Sequence, residues 1–182
     1  MNGYILKPTN FDPSKRYPVV MTQYSGPGSQ SVLDKWTIDW EYYLVSKGFI
    51  VACVDGRGTG GRSRAYETSV YMQLGKLETE DQVAGAEYMR TLPYVDDKHI
   101  GIYGWSYGGY ETLMAMSTSN GTYQAGVAIA PVTDWRYYDT IYAERFMRTP
   151  NENNEGYEQS APITHAEKLK GCLLYTSPSP RD

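Results

Sequence analysis

Cysteine and histidine are both scarce in this chain of 182 residues, which has two of each. Cys53 and Cys172 form neither a CxxC motif nor a zinc-binding spacing, so the sequence predicts no metal site. Cys53 lies within an apolar run, where a small buried side chain is the simplest interpretation. No other motif indicates a cofactor, and none is expected.

Long apolar runs and an excess of basic residues are also missing. No stretch reaches the length of a membrane span, and residues 1–4 do not begin a signal peptide. Lysine and arginine total 17 against 21 acidic residues, for a net charge of −4, and no basic run suggests a nucleic-acid partner. The 41% of hydrophobic residues is ordinary for a globular domain with a sizeable core.

Apolar strands alternate with helical segments along the chain. The pattern predicts strands over 17–24, 49–54, 99–103 and 125–130, and helices over 34–47, 78–92 and 107–119. Strands without a polar face imply a parallel sheet covered on both sides. Right-handed crossovers then give a doubly wound, mostly parallel α/β fold, whose functional residues gather at the carboxyl ends of the strands.

A nucleophile motif stands at one of those strand ends. Residues 104–108 read G-W-S-Y-G and fit G-x-S-x-G, the nucleophile elbow of α/β-hydrolases, between a predicted strand and a predicted helix. The pattern predicts Ser106 as a nucleophile on a strained turn, with Gly104 and Gly108 too close to neighbouring backbone for a Cβ. The backbone N–H of Tyr107 is the expected first oxyanion donor.

Four segments in order resemble the prolyl oligopeptidase family, most closely its dipeptidyl peptidase IV branch. They are G-W-S-Y-G-G-Y at 104–110, Y-S-G-P-G-S-Q at 24–30, D-G-R-G-T-G at 55–60 and A-P-V-T-D-W-R-Y-Y-D at 130–139. The similarity runs from about residue 3 to residue 171. It implies a serine peptidase that cleaves after proline by forming an acyl-enzyme at Ser106, with peptides that carry proline near the N-terminus as substrates.

The resemblance also implies roles for further residues. Tyr24 matches the tyrosine whose hydroxyl is the second oxyanion donor, and the loop after its strand lacks the HGGG-type backbone donors of esterases. The resemblance implies an apolar box for the proline ring, formed by Trp105, Val132, Trp135, Tyr138 and Tyr142. Tyr107 is expected to contribute to it. For Trp135, core packing and substrate contact are both open, whereas for Tyr137 packing is the favoured interpretation.

The base and the acid of a catalytic triad are not apparent. In this fold the triad follows the chain order Ser, Asp or Glu, His. His99 precedes Ser106 at the amino end of its strand, and His165 lies in a helical segment leading into the next strand. Both are expected at the wrong edge of the sheet. Asp134 and Asp139 match pocket-loop positions, so neither is expected to be the triad acid, and the chain alone is expected to be nearly inactive.

Residues 1–171 are therefore expected to be a partial α/β-hydrolase peptidase domain, truncated after the fourth parallel strand. Residues 172–182 resemble the translation of a sequencing-library adapter and are expected to be a non-native tail, in which Pro178 and Pro180 would interrupt a strand. The resemblance implies a parent protein with an N-terminal β-propeller, homodimeric, and periplasmic, secreted or membrane-anchored. The chain itself indicates no compartment.

Other parts of the sequence allow three further interpretations. Residues 56–61 satisfy G-x-G-x-x-G, but no predicted helix follows directly, so a loop with unusual backbone angles is expected rather than a dinucleotide site. An acylaminoacyl peptidase or an esterase of the same fold is one functional alternative. A catalytically dead hydrolase fold that acts as a binding module is the other.

Overall fold

A single six-stranded sheet organises the chain, of which the computed structural model describes residues 1–36 and 39–176. The strands are β1 (Asn2–Leu6), β2 (Tyr17–Thr22), β3 (Ile50–Asp55), β4 (Val95–Trp105), β5 (Ala125–Ile129) and β6 (Cys172–Thr176). Their order in the sheet is β1-β3-β2-β4-β5-β6. β1 pairs with β3 in the antiparallel direction and all other pairs are parallel. The predicted mostly parallel α/β fold is confirmed.

The described residues form six helices between the strands: α1 (Glu41–Ser46), α2 (Arg64–Glu67), α3 (Lys76–Arg90), α4 (Tyr107–Thr118), α5 (Thr140–Met147) and α6 (Asn154–Gln159). Short 3₁₀ segments occupy Thr68–Val70, Trp135–Tyr137 and Pro162–Lys168. The predicted bounds of α3 and α4 were right to within two residues, because both helices begin and end at clear turn residues.

Both faces of the sheet are covered. Ile50, Val51, Ala52 and Cys53 are consecutive residues of β3, and all four are buried. Because successive strand side chains point to opposite faces, this pattern requires packing on both sides. On one side, the core around β2 and β4 includes Met89 of α3. The continuous apolar runs had predicted this arrangement.

The first predicted helix was too long. Helix α1 covers only Glu41–Ser46, whereas the predicted helix starts at residue 34. Residues 37 and 38 of the predicted segment lie outside the described residues. The Asp39 carboxylate accepts a hydrogen bond from the backbone N–H of Trp40 at 2.6 Å. Local side-chain bonds of this kind compete with helix formation and favour turns, so the helix begins after Asp39. Gly48 follows the helix with φ +89°, as a C-terminal glycine should.

Two edge strands were not predicted. Residues 2–6 add β1 beside β3, and residues 172–176 add β6 beside β5, which makes five parallel strands where four were expected. In β6 Leu174 and Tyr175 are more than 60% exposed, and Leu173 packs against the core. Most of the contact between this strand and β5 therefore comes from backbone hydrogen bonds, which most sequences can make. Pro178 and Pro180 lie outside the described residues.

The glycine-rich loop after β3 has the unusual backbone angles that were expected, with φ of +94° at Gly58 and +82° at Gly61. Arg57 anchors this loop to α3, because its side chain and its backbone N–H both donate to the carboxylate of Asp81. In the described part of the chain, no helix is long and apolar enough to cross a membrane.

Candidate active site

Ser106 occupies a sharp turn between the end of β4 and the start of α4. Its φ is 58° and its ψ is −114°, a conformation that non-glycine residues adopt only where the surrounding structure enforces it. The backbone N–H of Ser106 donates to the carbonyl of Ile129 at 2.9 Å, which ties the turn to the end of β5. The Ser106 side chain is exposed to solvent at the carboxyl edge of the sheet.

The glycines around Ser106 let three backbone segments converge. A Cβ on Gly104 would lie 2.2 Å from the carbonyl oxygen of Gly108, and a Cβ on Gly108 would lie 2.5 Å from that of Gln23. A Cβ on Gly109 would lie 2.6 Å from the carbonyl oxygen of Ile129. These distances are far below ordinary contact, so only glycine fits. The predicted steric reason for the motif is confirmed.

Tyr107 is the first residue of α4, where backbone N–H groups have no partner within the helix. The positive end of the helix dipole adds to the attraction for a developing negative charge. The Tyr107 side chain points the other way, into the core, and its hydroxyl donates to Oε1 of Glu78 at 2.8 Å. Burial raises the pKa of this phenol well above its ordinary value, so the hydroxyl stays a donor.

Tyr24 follows β2 and lies next to the elbow. Its ring centroid is 6.1 Å from that of Tyr107, and 40% of its surface is exposed. A Cβ on Gly26 would lie 2.6 Å from the Tyr24 ring, so the following turn wraps closely around this side chain. The structure thus brings Tyr24 and the Ser106 turn together.

A chain of amide and hydroxyl groups holds the Tyr24 loop against the elbow. The Gln23 amide donates to the carbonyl of Gly108 at 2.8 Å. The Ser25 hydroxyl donates to the carbonyl oxygen of the Gln23 side chain at 3.0 Å, and Ser25 accepts from Gln82 of α3 at 3.2 Å. Sequence reasoning missed these three residues. The only indication in the sequence is that two polar residues, Gln23 and Ser25, flank Tyr24 at the end of an apolar strand.

Four of the five predicted box residues, together with Tyr107, form a cluster centred on Trp135. Its ring stacks on Tyr142 at 5.7 Å and meets Tyr138 edge-on at 5.8 Å. Tyr107 lies 5.5 Å from Trp135 on the elbow side, and Val132 packs against the same group. Desolvation raises the pKa of Tyr142, so its hydroxyl is neutral over the physiological range. Rings from residues 135–142 and from the start of α4 therefore form one apolar wall beside the Ser106 turn.

The members of the cluster differ in exposure. Trp135 is 1% exposed, so it supports the wall from behind, whereas Tyr138 is 44% exposed and accessible to a ligand. Of the two open interpretations of Trp135, burial favours packing. Trp105 is 64% exposed and, among the described aromatic residues, stacks on no ring of the cluster. Tyr137 is 86% exposed and also lies outside the cluster.

Asp134 and Asp139 hold the loop that carries these rings. Asp134 accepts from the backbone N–H of Arg136 at 2.8 Å and pairs with its guanidinium at 3.0 Å. Asp139 caps α5 by accepting from the backbone N–H of Tyr142 at 2.8 Å. Both carboxylates are thus engaged in local structure, in accordance with the prediction that they belong to the pocket loop.

Both histidines lie away from Ser106. His99 contacts the carboxylate of Asp96 at 2.7 Å near the start of β4, and the remaining length of the strand separates it from Ser106 by roughly 20 Å. Nε2 of His165 contacts the carbonyl of Gln159 at 2.9 Å. His165 lines a cavity with Thr118, at the far end of α4 from the elbow. Within residues 1–36 and 39–176, no group of three metal-binding side chains is found.

A strained serine between a parallel strand and a helix, on a sheet of this order, defines an α/β-hydrolase domain. Residues 36–178 match the prolyl oligopeptidase family. The chain belongs to this family.

Solved and curated relatives agree with the family. The crystal structure of Porphyromonas gingivalis dipeptidyl peptidase 4 superposes with a TM-score of 0.94 and 58% identity, over 96% of this chain and 25% of that one. Proteins described as probable dipeptidyl-aminopeptidase B from Metarhizium robertsii and Ajellomyces dermatitidis are 47% and 50% identical over 85% of this chain. The chain spans 17% of the length of each of these two curated relatives.

Proposed function

We propose that the protein to which this chain belongs is a serine peptidase that cleaves after proline and releases dipeptides. One observation carries the proposal: Ser106 stands exposed on a strained elbow beside Tyr24 and the aromatic cluster. The names of the relatives support dipeptide release. A β-propeller and a homodimer are proposed on the family resemblance alone.

In the proposed reaction the Ser106 hydroxyl oxygen attacks the carbonyl carbon of the scissile peptide bond. The C–N bond then breaks, the amine leaves with the proton of the hydroxyl, and an ester to Ser106 remains. Water hydrolyses this ester and restores the hydroxyl. The backbone N–H of Tyr107 and the hydroxyl of Tyr24 donate to the oxygen that becomes negative in each step.

The general base and its orienting acid are proposed to come from other parts of the whole protein. The chain has two histidines, and their contacts, with Asp96 for His99 and with Gln159 for His165, lie away from Ser106. An unassisted serine hydroxyl is a weak nucleophile, so the 182-residue chain is expected to be nearly inactive by itself.

Residues 172–182 are proposed to be non-native, although the family match extends to residue 178 and residues 172–176 form β6. Backbone pairing of an exposed edge strand places little demand on sequence. The genomic DNA beyond codon 171 is the test. A different open frame encoding an apolar strand, an aspartate and a later histidine would support the proposal. An uninterrupted match to the present tail would reject it.

We expect the replacement of Tyr24 by phenylalanine to lower kcat of the full-length protein by about 10²–10³-fold with little change in KM, the usual effect of losing one oxyanion donor. Steady-state kinetics with a Gly-Pro chromogenic amide would measure it. Tyr137→Phe, which removes an exposed hydroxyl outside the cluster, is the matched control. Equal kcat in the two variants would contradict the assignment of Tyr24.

We expect substrates with proline at the cleaved position to be preferred over those with leucine by on the order of 10–100-fold in kcat/KM, since a rigid apolar wall discriminates shape within these limits. A panel of dipeptide amides and acyl esters would measure the preference. Truncating the exposed wall with Tyr138→Ala should reduce the preference. Preference for bulky residues or for simple esters would favour an acylaminoacyl peptidase or an esterase.

A further inference from the structure

Two carboxyl groups lie buried directly beneath the elbow. Glu78 of α3 is 1% exposed and Glu111 of α4 is fully buried. Among the described residues, no lysine, arginine or histidine forms an ion pair with either. In each side chain Oε1 has a hydrogen-bond partner and Oε2 has none among these residues. Two ionised carboxylates in this setting would be highly unfavourable.

The hydrogen bonds of Thr79 indicate a position for a proton. Its hydroxyl oxygen lies 2.6 Å from the carbonyl oxygen of Gly75 and 2.8 Å from Oε1 of Glu111. A backbone carbonyl only accepts, and a hydroxyl has one hydrogen to donate, so one hydrogen cannot fully satisfy both contacts. With a proton on Oε1, Glu111 donates to Thr79 while Thr79 donates to Gly75, and both contacts are satisfied. The geometry therefore favours a neutral carboxylic acid at position 111.

The surroundings of the pair contain acidic and neutral groups. Asp81 of α3 adds a like charge, and phenols approach from α4, α5 and the segment before β5, at Tyr107, Tyr110, Tyr142 and Tyr123. Burial raises the pKa of Glu111 well above its ordinary value, and the negative charge of Glu78 adds to the effect. Burial likewise raises the pKa of Glu78 to about 7. The raised pKa of Glu111 agrees with a proton on this side chain, as the contacts of Thr79 indicate.

Glu78 connects the pair to the candidate active site. Its Oε1 accepts from the hydroxyl of Tyr107, the residue whose backbone N–H is the proposed oxyanion donor. The Tyr107 ring lies between Tyr24 and Trp135, at 6.1 Å and 5.5 Å. Glu78 is a fixed acceptor for the hydroxyl at the buried end of the Tyr107 ring. It therefore helps to set the position of Tyr107, which is both the first residue of α4 and the inner side of the aromatic cluster.

We propose that Glu78 and Glu111 form a buried carboxyl pair that keeps a proton on Glu111 at neutral pH, and that the pair positions Tyr107 for the reaction at Ser106. The second half rests on the proposed function, whereas the protonation of Glu111 does not. Neither carboxyl touches the substrate. The proton removes the repulsion that would otherwise drive α3 and α4 apart beneath the elbow.

Infrared difference spectroscopy on the full-length protein tests the proton. At pH 9, above the pKa of Glu78, we expect the C=O stretching band of a neutral carboxylic acid, shifted in heavy water, and we expect Glu111→Gln to remove it. Glu155→Gln, which replaces an exposed carboxylate of α6, is the control and should leave the band unchanged. Absence of the band in the wild type, or its persistence in Glu111→Gln, would overturn the protonation of Glu111.

A comparison of two substitutions tests the positioning role. We expect Glu111→Ala to lower kcat for a Gly-Pro amide by roughly tenfold with KM little changed. Glu111→Gln should recover most of this loss, because its amide is uncharged and donates to Thr79 as the acid does. Failure of glutamine to improve on alanine would reject the positioning role.

Glu78→Ala and Tyr107→Phe each remove the hydrogen bond that links the carboxyl pair to the elbow. The double variant should therefore lower kcat no further than the more severe single variant, and fully additive losses would contradict the link. Labelling of Ser106 by a fluorophosphonate separates the two proposals. If the wild type neither reacts nor cleaves while the infrared result holds, the proposed function fails and the neutral Glu111 stands.

Discussion

Replacing Ser106 with alanine in the full-length protein is expected to abolish cleavage of proline-containing dipeptide amides, with kcat reduced by about a millionfold. The reason is chemical: no other atom at the elbow can form the acyl-enzyme, and the remaining oxyanion donors give only residual catalysis. The α4 helix needs no contribution from the Ser106 side chain, since that side chain makes no capping hydrogen bond. Stability should therefore stay close to that of the wild type.

Ser119→Ala is the matched control for this experiment, because Ser119 lies at the other end of the same helix. Initial rates and covalent labelling by a fluorophosphonate should both vanish in Ser106→Ala and persist in Ser119→Ala. Retention of either property in Ser106→Ala would show that the nucleophile has been assigned to the wrong residue.

Gly104→Ala is expected to be among the most destabilising single substitutions in this domain. The new Cβ would lie 2.2 Å from the carbonyl oxygen of Gly108 and 2.6 Å from the side-chain nitrogen of Gln23. Relief requires the elbow to separate from β2, which breaks the bond from Gln23 to Gly108. We expect a loss of more than about 4 kcal/mol in the free energy of unfolding, above the roughly 1–3 kcal/mol typical of overpacking, because the clash is with backbone atoms.

The comparison with Gly101→Ala isolates this effect. Gly101 belongs to the same strand, and its new Cβ would approach the carbonyl oxygen of Ala125 only to 3.2 Å, so we expect a loss of about 1 kcal/mol. Thermal unfolding and the soluble yield of the full-length protein would measure both variants. Similar stability of the two would mean that the elbow backbone is less constrained than its geometry indicates.

The elbow was predictable because its cause is local. A serine with one glycine two positions before it and another two positions after it requires a strand before the turn and a helix after it. The neighbouring residues show clear patterns for both elements. The role of Tyr24 required the family resemblance, since nothing in the bare sequence places residue 24 beside residue 107. The structure joins them because β2 and β4 are adjacent parallel strands that end at the same edge.

Other features of the site could not be found in the sequence. Glu78 and Glu111 sit in helical segments where charged residues usually face solvent, and their burial follows from how α3 and α4 pack beneath the elbow. Gln23, Ser25 and Gln82 come from two elements whose relative placement the local pattern does not encode. The predicted start of α1 was wrong for a different reason, since the local hydrogen bond of Asp39 outweighs weak helix propensity.

Sequence alone determined the parallel α/β layering, the identity of the strained serine and the need for glycine around it, because short-range sterics and hydrophobic periodicity act over a few residues. Tertiary structure alone decided that Trp105 lies outside the aromatic cluster, that Trp135 supports the cluster from behind, and that two acids share the space under Tyr107. Those outcomes depend on contacts between residues dozens of positions apart, whose energies arise only when the strands and helices have packed.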